Sequence, residues 1–228
     1  MNSKLGKALK IIAIIFMAMT AAMNLLGGAG TVCAAFLTKK YPPMWPLLDY
    51  QWLYQGLMIT TILTGLAGIW ATIKLIRGGT KVYKNALIVL IVGSLLGATQ
   101  YIASQLIRGA ATPANVKFFT NFITLLIFLL LRLPGVRDKI DFSSGTKSKN
   151  IDGGLAAFVS GILILSAFIW VTPTHTYQGE NWVLVLELPL IISGISLTFG
   201  GLFVFTRALI SSMNSSPIQS KLDLAPKN

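Results

Sequence analysis

Apolar positions fall in long unbroken blocks at about 11–37, 53–73, 85–107, 117–133, 154–172 and 183–209, with short polar connections between them. An α-helix needs about 20 such residues to cross a hydrocarbon core of about 30 Å. Runs such as ITLLIFLLL do not alternate apolar and polar positions, as transmembrane β-strands do. The pattern therefore predicts an all-α, polytopic integral membrane protein: six transmembrane helices in a single membrane domain over 1–228.

The connections reinforce that pattern. YPPMWPLLDYQW, beginning at Tyr41, mixes prolines with tryptophans and tyrosines and suits an aromatic belt at headgroup level. The longest polar connection, about 134–153, is charged and contains Gly and Ser, so it is the natural hinge between two sets of three helices. Three helices on each side give opposite orientations, as in inverted-repeat transporters. Internal similarity adds nothing to this, because LIRGG at Leu75 and LIRGA at Leu106 end neighbouring helices of the same half.

Composition agrees with the blocks. The chain is 54% hydrophobic and 11% charged, against about 25% charged in a soluble domain. Its mean hydropathy is +0.71. Too few charges remain to cover a water-facing surface.

The net charge of +12 changes the picture through its placement. Lys and Arg lie between the apolar blocks, which implies anionic headgroups at the inner face of a bilayer as partners and no nucleic acid. With the N-terminus inside, 15 basic residues fall on inner segments and 4 on outer ones. The excess predicts cytoplasmic N- and C-termini and a multi-pass protein of the cell membrane. Lys4, Lys7 and Lys10 before an apolar run also resemble a signal sequence, but the run continues to Leu37, beyond the 7–15 residues of a signal core. An uncleaved first helix is expected.

Candidate chemistry is sparse. Cys33 is the sole cysteine, so no intramolecular disulfide or CxxC site is possible. GGAGTVC at Gly27 contains a fragment of a dinucleotide fingerprint without its third glycine or its strand; the glycines there suit close helix approach or a local break. Gly93 and Gly97, Ala157 and Gly161, and Gly194 and Thr198 place small residues four apart, as packing in lipid requires. The expected packing is within one bundle, with contact to another subunit or a homo-oligomer as the alternative.

Polar residues inside the blocks concentrate toward the predicted outer side. Gln100, Ser104 and Arg108 recur every four residues on one face of the third helix. With Asn121, His175 and Glu187 they form a candidate polar cluster, with Thr31, Gln55 and Thr120 nearby. Glu187 lies within an apolar run, where an ionisable group is a functional candidate; Arg108 or Lys117 is its natural partner. Pro189 offers another reading, because proline suits a helix start, and Glu187 would then precede helix six near its favourable dipole end. WVLVLEL becomes an approach along the interface, and this reading is favoured.

His175, near Tyr177 and Glu180, has no second histidine to complete a metal pair. No HExxH, P-loop or GxSxG occurs, so no catalytic, cofactor-binding or metal residue is assigned and no cofactor is implied. Three readings of function follow. The first is a non-enzymatic scaffold, assembly factor or subunit of a membrane complex, which ranks ahead because its rivals lack positive signals. The second is a small transporter, channel or ligand-binding protein using the outer polar cluster. The third is a membrane enzyme built on His175, Glu187 and Asp49.

Overall fold

Prolines and glycines divide the chain into its helices. The computed structural model describes residues 4–146, 148–177 and 179–214. Helix α1 spans Lys4–Phe36 without interruption, about 50 Å at 1.5 Å per residue. A 3₁₀ segment, Pro42–Tyr50, follows. Three of its residues are prolines, which lack the amide hydrogen an α-helix uses. Helix α2 covers Gln51–Arg77 and α3 covers Val82–Arg108. Gly109 closes α3 in the left-handed conformation, its amide donating to the Gln105 carbonyl at 3.0 Å.

Helix α4, Ala114–Leu130, is the shortest at 17 residues, or about 25 Å. It begins three residues before the predicted start, so Lys117 lies in its first turn instead of in a connection. Helix α5 spans Lys149–His175. A two-residue antiparallel ladder pairs Thr176–Tyr177 with Glu180–Asn181. The 3₁₀ segment Trp182–Leu186 then leads to α6, Glu187–Asn214. Among the described residues the named elements are otherwise all helical, joined by turns and irregular connections. Among the described residues, five helices are long and apolar enough to cross a membrane, with α4 as a shorter apolar sixth.

The helices pair in sequence order: α1 with α2, α3 with α4, and α5 with α6. The α5–α6 pair touches the others mainly through α1. Hydrophobic force does not drive helices together in lipid, so close backbone contact must do it. A Cβ added at Gly154 would come within 2.7 Å of the Phe205 amide nitrogen, and one at Gly161 within 2.5 Å of that of Thr198. Gly194 and Gly201 face the same seam from α6. The small-residue faces thus pack within one chain, and Gly97 does likewise against the Phe118 backbone.

The bundle has two dissimilar ends. At the end bearing Lys10, the 131–148 connection folds back over the helices. Gly79 donates its amide to the Ser143 carbonyl at 2.8 Å, and Thr146 donates to Ile76 at 2.9 Å. Gly78, at φ +82°, passes so close to the Ser143–Gly145 backbone that no Cβ fits there. Phe128 stacks on Tyr83 at 5.9 Å between centroids, and Phe142 packs on the same ring at 5.5 Å in a tilted arrangement. The stretch expected as a hinge is therefore anchored at several points. Its apolar residues, Ile140 and Phe142, extend a core formed by Ile14, Met17, Leu75, Leu90 and Phe128. Lys147, Lys221 and Lys227, counted among the inner basic residues, fall outside the described residues.

Candidate functional site

The site at the opposite end, where Arg108 closes α3, follows from helical periodicity. On α4, Lys117, Asn121, Thr124 and Phe128 recur every three or four residues and are buried. On α1, Thr20, Asn24, Gly28 and Thr31 do the same. The two stripes meet as a ladder. Thr20 and Thr124 share a hydroxyl hydrogen bond of 2.7 Å. One turn on, Asn24 and Asn121 exchange side-chain amides, each donating its Nδ2 to the other's Oδ1 at 3.0 and 2.8 Å.

Above this rung, the Lys117 ammonium donates to Thr61 Oγ1 of α2 at 3.1 Å and to Gln100 Oε1 of α3. Gln100 passes the connection on, its Nε2 donating to Thr31 Oγ1 at 2.9 Å. Tyr54 and Ser104 pair at 2.8 Å nearby.

Lys117 is 2% exposed, and its described partners are neutral. No charged group among the described residues offsets its burial. An ammonium has three donors. Two are used, and the third has no acceptor among the described residues. Room for the side chain comes from Gly27, where an added Cβ would lie 2.8 Å from Lys117 Cδ. Gly28, beside it, admits the Ile62 backbone of α2, while a Cβ at Gly30 would meet nothing within 4 Å. The GGAG run thus serves a buried lysine, a helix contact and an open space.

That open space is a cavity of about 240 Å³ between the α1–α4 group and α5–α6. Gln100, Ser104, Arg108 and Lys117 all line it, and so does Cys33. Arg108 donates to the Ala110 carbonyl at 2.9 Å and to Met44 Sδ at 3.2 Å. Its Nε is buried without a hydrogen-bond partner among the described residues. Among the described lining residues none is acidic.

The predicted cluster is therefore brought together in part. Gln100, Ser104 and Arg108 line one cavity, and Asn121 lies a turn below Lys117. Glu187 does not join them. It is exposed at the first position of α6, so it begins the helix instead of preceding it, with Pro189 in the first turn; among the described residues no ion pair links it to Arg108 or Lys117. The His175 side chain lies outside the described residues, although its backbone ends α5. Asp49 is exposed on the 3₁₀ segment.

Thr20, Asn24, Tyr54, Thr61 and Thr124 were not singled out from the sequence, and Lys117 was placed in a connection. The signal was present: KxxxNxxT on α4 and TxxxN on α1 repeat at helical spacing. Among the described residues, no three His, Cys, Asp or Glu side chains gather as a metal site. The class defined by fold and site is a helical membrane protein with a basic cavity at one end, acid-free among its described lining residues. No protein-family model matches the chain, and no curated protein or solved structure matches it either.

Proposed function

We propose that this is a six-span cell-membrane protein, α4 included, with both termini cytoplasmic and the Arg108 end outward, and that it binds or carries an anionic ligand in the outward cavity. The placement of Lys and Arg supports the orientation. The observation that carries the function is Lys117, buried beside a cavity with no carboxylate among its described lining residues. Burying an uncompensated cation costs several kcal/mol. Ionisable groups kept inside membrane proteins mark ligand or ion pathways, and an anion in the cavity supplies the missing charge where low dielectric makes it count most.

This is the second of the three readings drawn from sequence. A scaffold or complex subunit needs neither a cavity nor a buried unpaired cation, so it gains no support from this end of the molecule. The enzyme reading loses Glu187 and Asp49 to exposed positions.

The test is native mass spectrometry of the protein released from a mild detergent. An anionic small molecule retained by the wild type and absent from Lys117→Met is the expected result. An unliganded chain carrying a second membrane protein instead returns the scaffold reading. Orientation is checked in a Cys33→Ser background: a cysteine at Lys39 reacts with an impermeant maleimide on intact cells, and one at Ser144 does not.

A further inference from the structure

We infer, on the basis of that reading, that the ligand is a single-chain amphiphile: an anionic headgroup, carboxylate or phosphate monoester, held by Lys117 and Arg108, with its hydrocarbon chain against α5 and α6. The cavity has two unlike walls. Its polar groups come from α1, α2 and α3 through Thr31, Tyr54, Gln100, Ser104 and Arg108, and from α4 through Lys117. The facing wall is Ala167, Trp170 and Val171 of α5 with Val183, Leu186 and Leu190 before and within α6; these are hydrophobic, and the one polar group, the Trp170 indole N–H, donates to Ser166 Oγ at 3.1 Å.

Two independent features ask for an anion. Among the described residues, Lys117 holds one donor with no acceptor, and Arg108 Nε is buried without a partner. A headgroup oxygen satisfies both kinds of donor with charge-assisted bonds. A compact, fully hydrated anion does not suit the opposite wall. Its remaining lone pairs would face hydrocarbon without donors, at the cost of its hydration. A neutral amphiphile leaves both cations uncompensated, and a cationic one is repelled. An acyl chain behind one anionic group matches both walls. Gly30 marks where the chain lies, because the absence of a side chain there leaves the space empty.

The experiment presents four probes to the protein in a non-ionic detergent, with bound species read by native mass spectrometry. They are dodecanoate, dodecyl phosphate, dodecyltrimethylammonium and inorganic phosphate. A one-to-one adduct of dodecanoate or dodecyl phosphate is expected, at concentrations where the other two leave the protein empty. The preference between those two identifies the headgroup. Lys117→Met weakens that adduct by about tenfold or more, the loss of one charge-assisted hydrogen bond. Gly30→Phe fills the chain's path and abolishes the adduct. Gly30→Ala, whose added methyl meets nothing, keeps both fold and adduct and controls for helix damage. Lys117-dependent binding of inorganic phosphate without dodecanoate or dodecyl phosphate overturns the amphiphile and leaves the anion-binding reading standing. Failure of every probe on a folded chain overturns both. Equal binding of dodecyltrimethylammonium, or a dodecanoate adduct indifferent to Gly30→Phe, puts the chain elsewhere and overturns the inference.

Discussion

Among the described residues two lysines are buried, one near each end of the bundle, and their surroundings differ. Lys10 is 7% exposed, and its ammonium donates to the carbonyls of Asp141 at 2.8 Å and Ser144 at 2.5 Å. The carboxylates of Asp141 and Asp152 add favourable charge, and Asp152 is itself buried. Lys117 is buried more deeply, but a hydroxyl and an amide are its only described acceptors. One lysine closes its end of the molecule by tying the 131–148 connection to α1. The other keeps an open donor beside an empty space. Burial alone does not distinguish structural from functional cations; the company they keep does.

The sharpest way to break this comparison is to remove Lys10. Lys10→Met strips two carbonyls of their donor and leaves Asp152 buried without a nearby cation. A loss of roughly 3 kcal/mol is expected from groups abandoned in that way. Thermal unfolding in detergent, followed by circular dichroism at 222 nm, measures it. A variant as stable as wild type would mean that Lys10 does not anchor the connection.

Lys117→Met should behave differently. It relieves an uncompensated charge while leaving Gln100 Oε1 without its donor, and the two effects oppose each other. The net change should stay within about 2 kcal/mol of zero, while ligand retention is lost. Cys33, which lines the same cavity, gives an independent readout. A bound ligand should slow its alkylation by a small maleimide several-fold in wild type and leave the rate in Lys117→Met unchanged. If Lys117→Met unfolds as readily as Lys10→Met, the two lysines are alike and the contrast fails.

A smaller effect tests whether the ladder below Lys117 is its support. Asn24 and Asn121 hold each other in a two-way amide pair, and Asn121 also donates to the Lys117 carbonyl at 2.9 Å. A double-mutant cycle of Asn24→Ala and Asn121→Ala should give a coupling of about 0.6 kcal/mol, the usual size for hydrogen bonds between membrane helices. A coupling indistinguishable from zero would remove the pair as a determinant of how α1 meets α4.

The sequence made these regions legible to different degrees. Helix-length apolar runs fixed the class because they depend on composition alone, and the start of α6 was readable from Pro189 because proline acts locally. Gln100, Ser104 and Arg108 were readable as one face because their spacing lies within a single helix. Lys117 was readable only as a partner for Glu187, and its burial was missed because a cation near a block edge normally belongs to water. Its burial depends on Gly27, which lies 90 positions earlier in the chain. The anchored 131–148 connection escaped for the same reason. Its Gly, Ser and charged residues describe a flexible linker, and only contact with Lys10, Gly78 and Tyr83 gives it a fixed place.

The weakest expected effect concerns Asp141, where the connection turns to meet Lys10. The Ser143 hydroxyl and amide donate to its Oδ1 at 2.6 and 2.8 Å, and the Ser144 amide donates to Oδ2 at 3.3 Å. These bonds favour the charged form and hold the carboxyl well below the usual carboxylate range. A folded-state pKa below the unfolded value near 3.9 means that the stabilisation is complete above about pH 4. It is lost only as the pH falls further, through the folded-state value. The unfolding temperatures of wild type and Asp141→Asn should therefore differ by a constant amount between pH 7 and pH 5. That gap should shrink below about pH 4. Because Asp141 is exposed, water screens the interaction and the gap itself should be small. A gap that instead narrows between pH 7 and pH 5 would place the titration on another group, with Asp152, buried on α5 near Lys10, the first to examine.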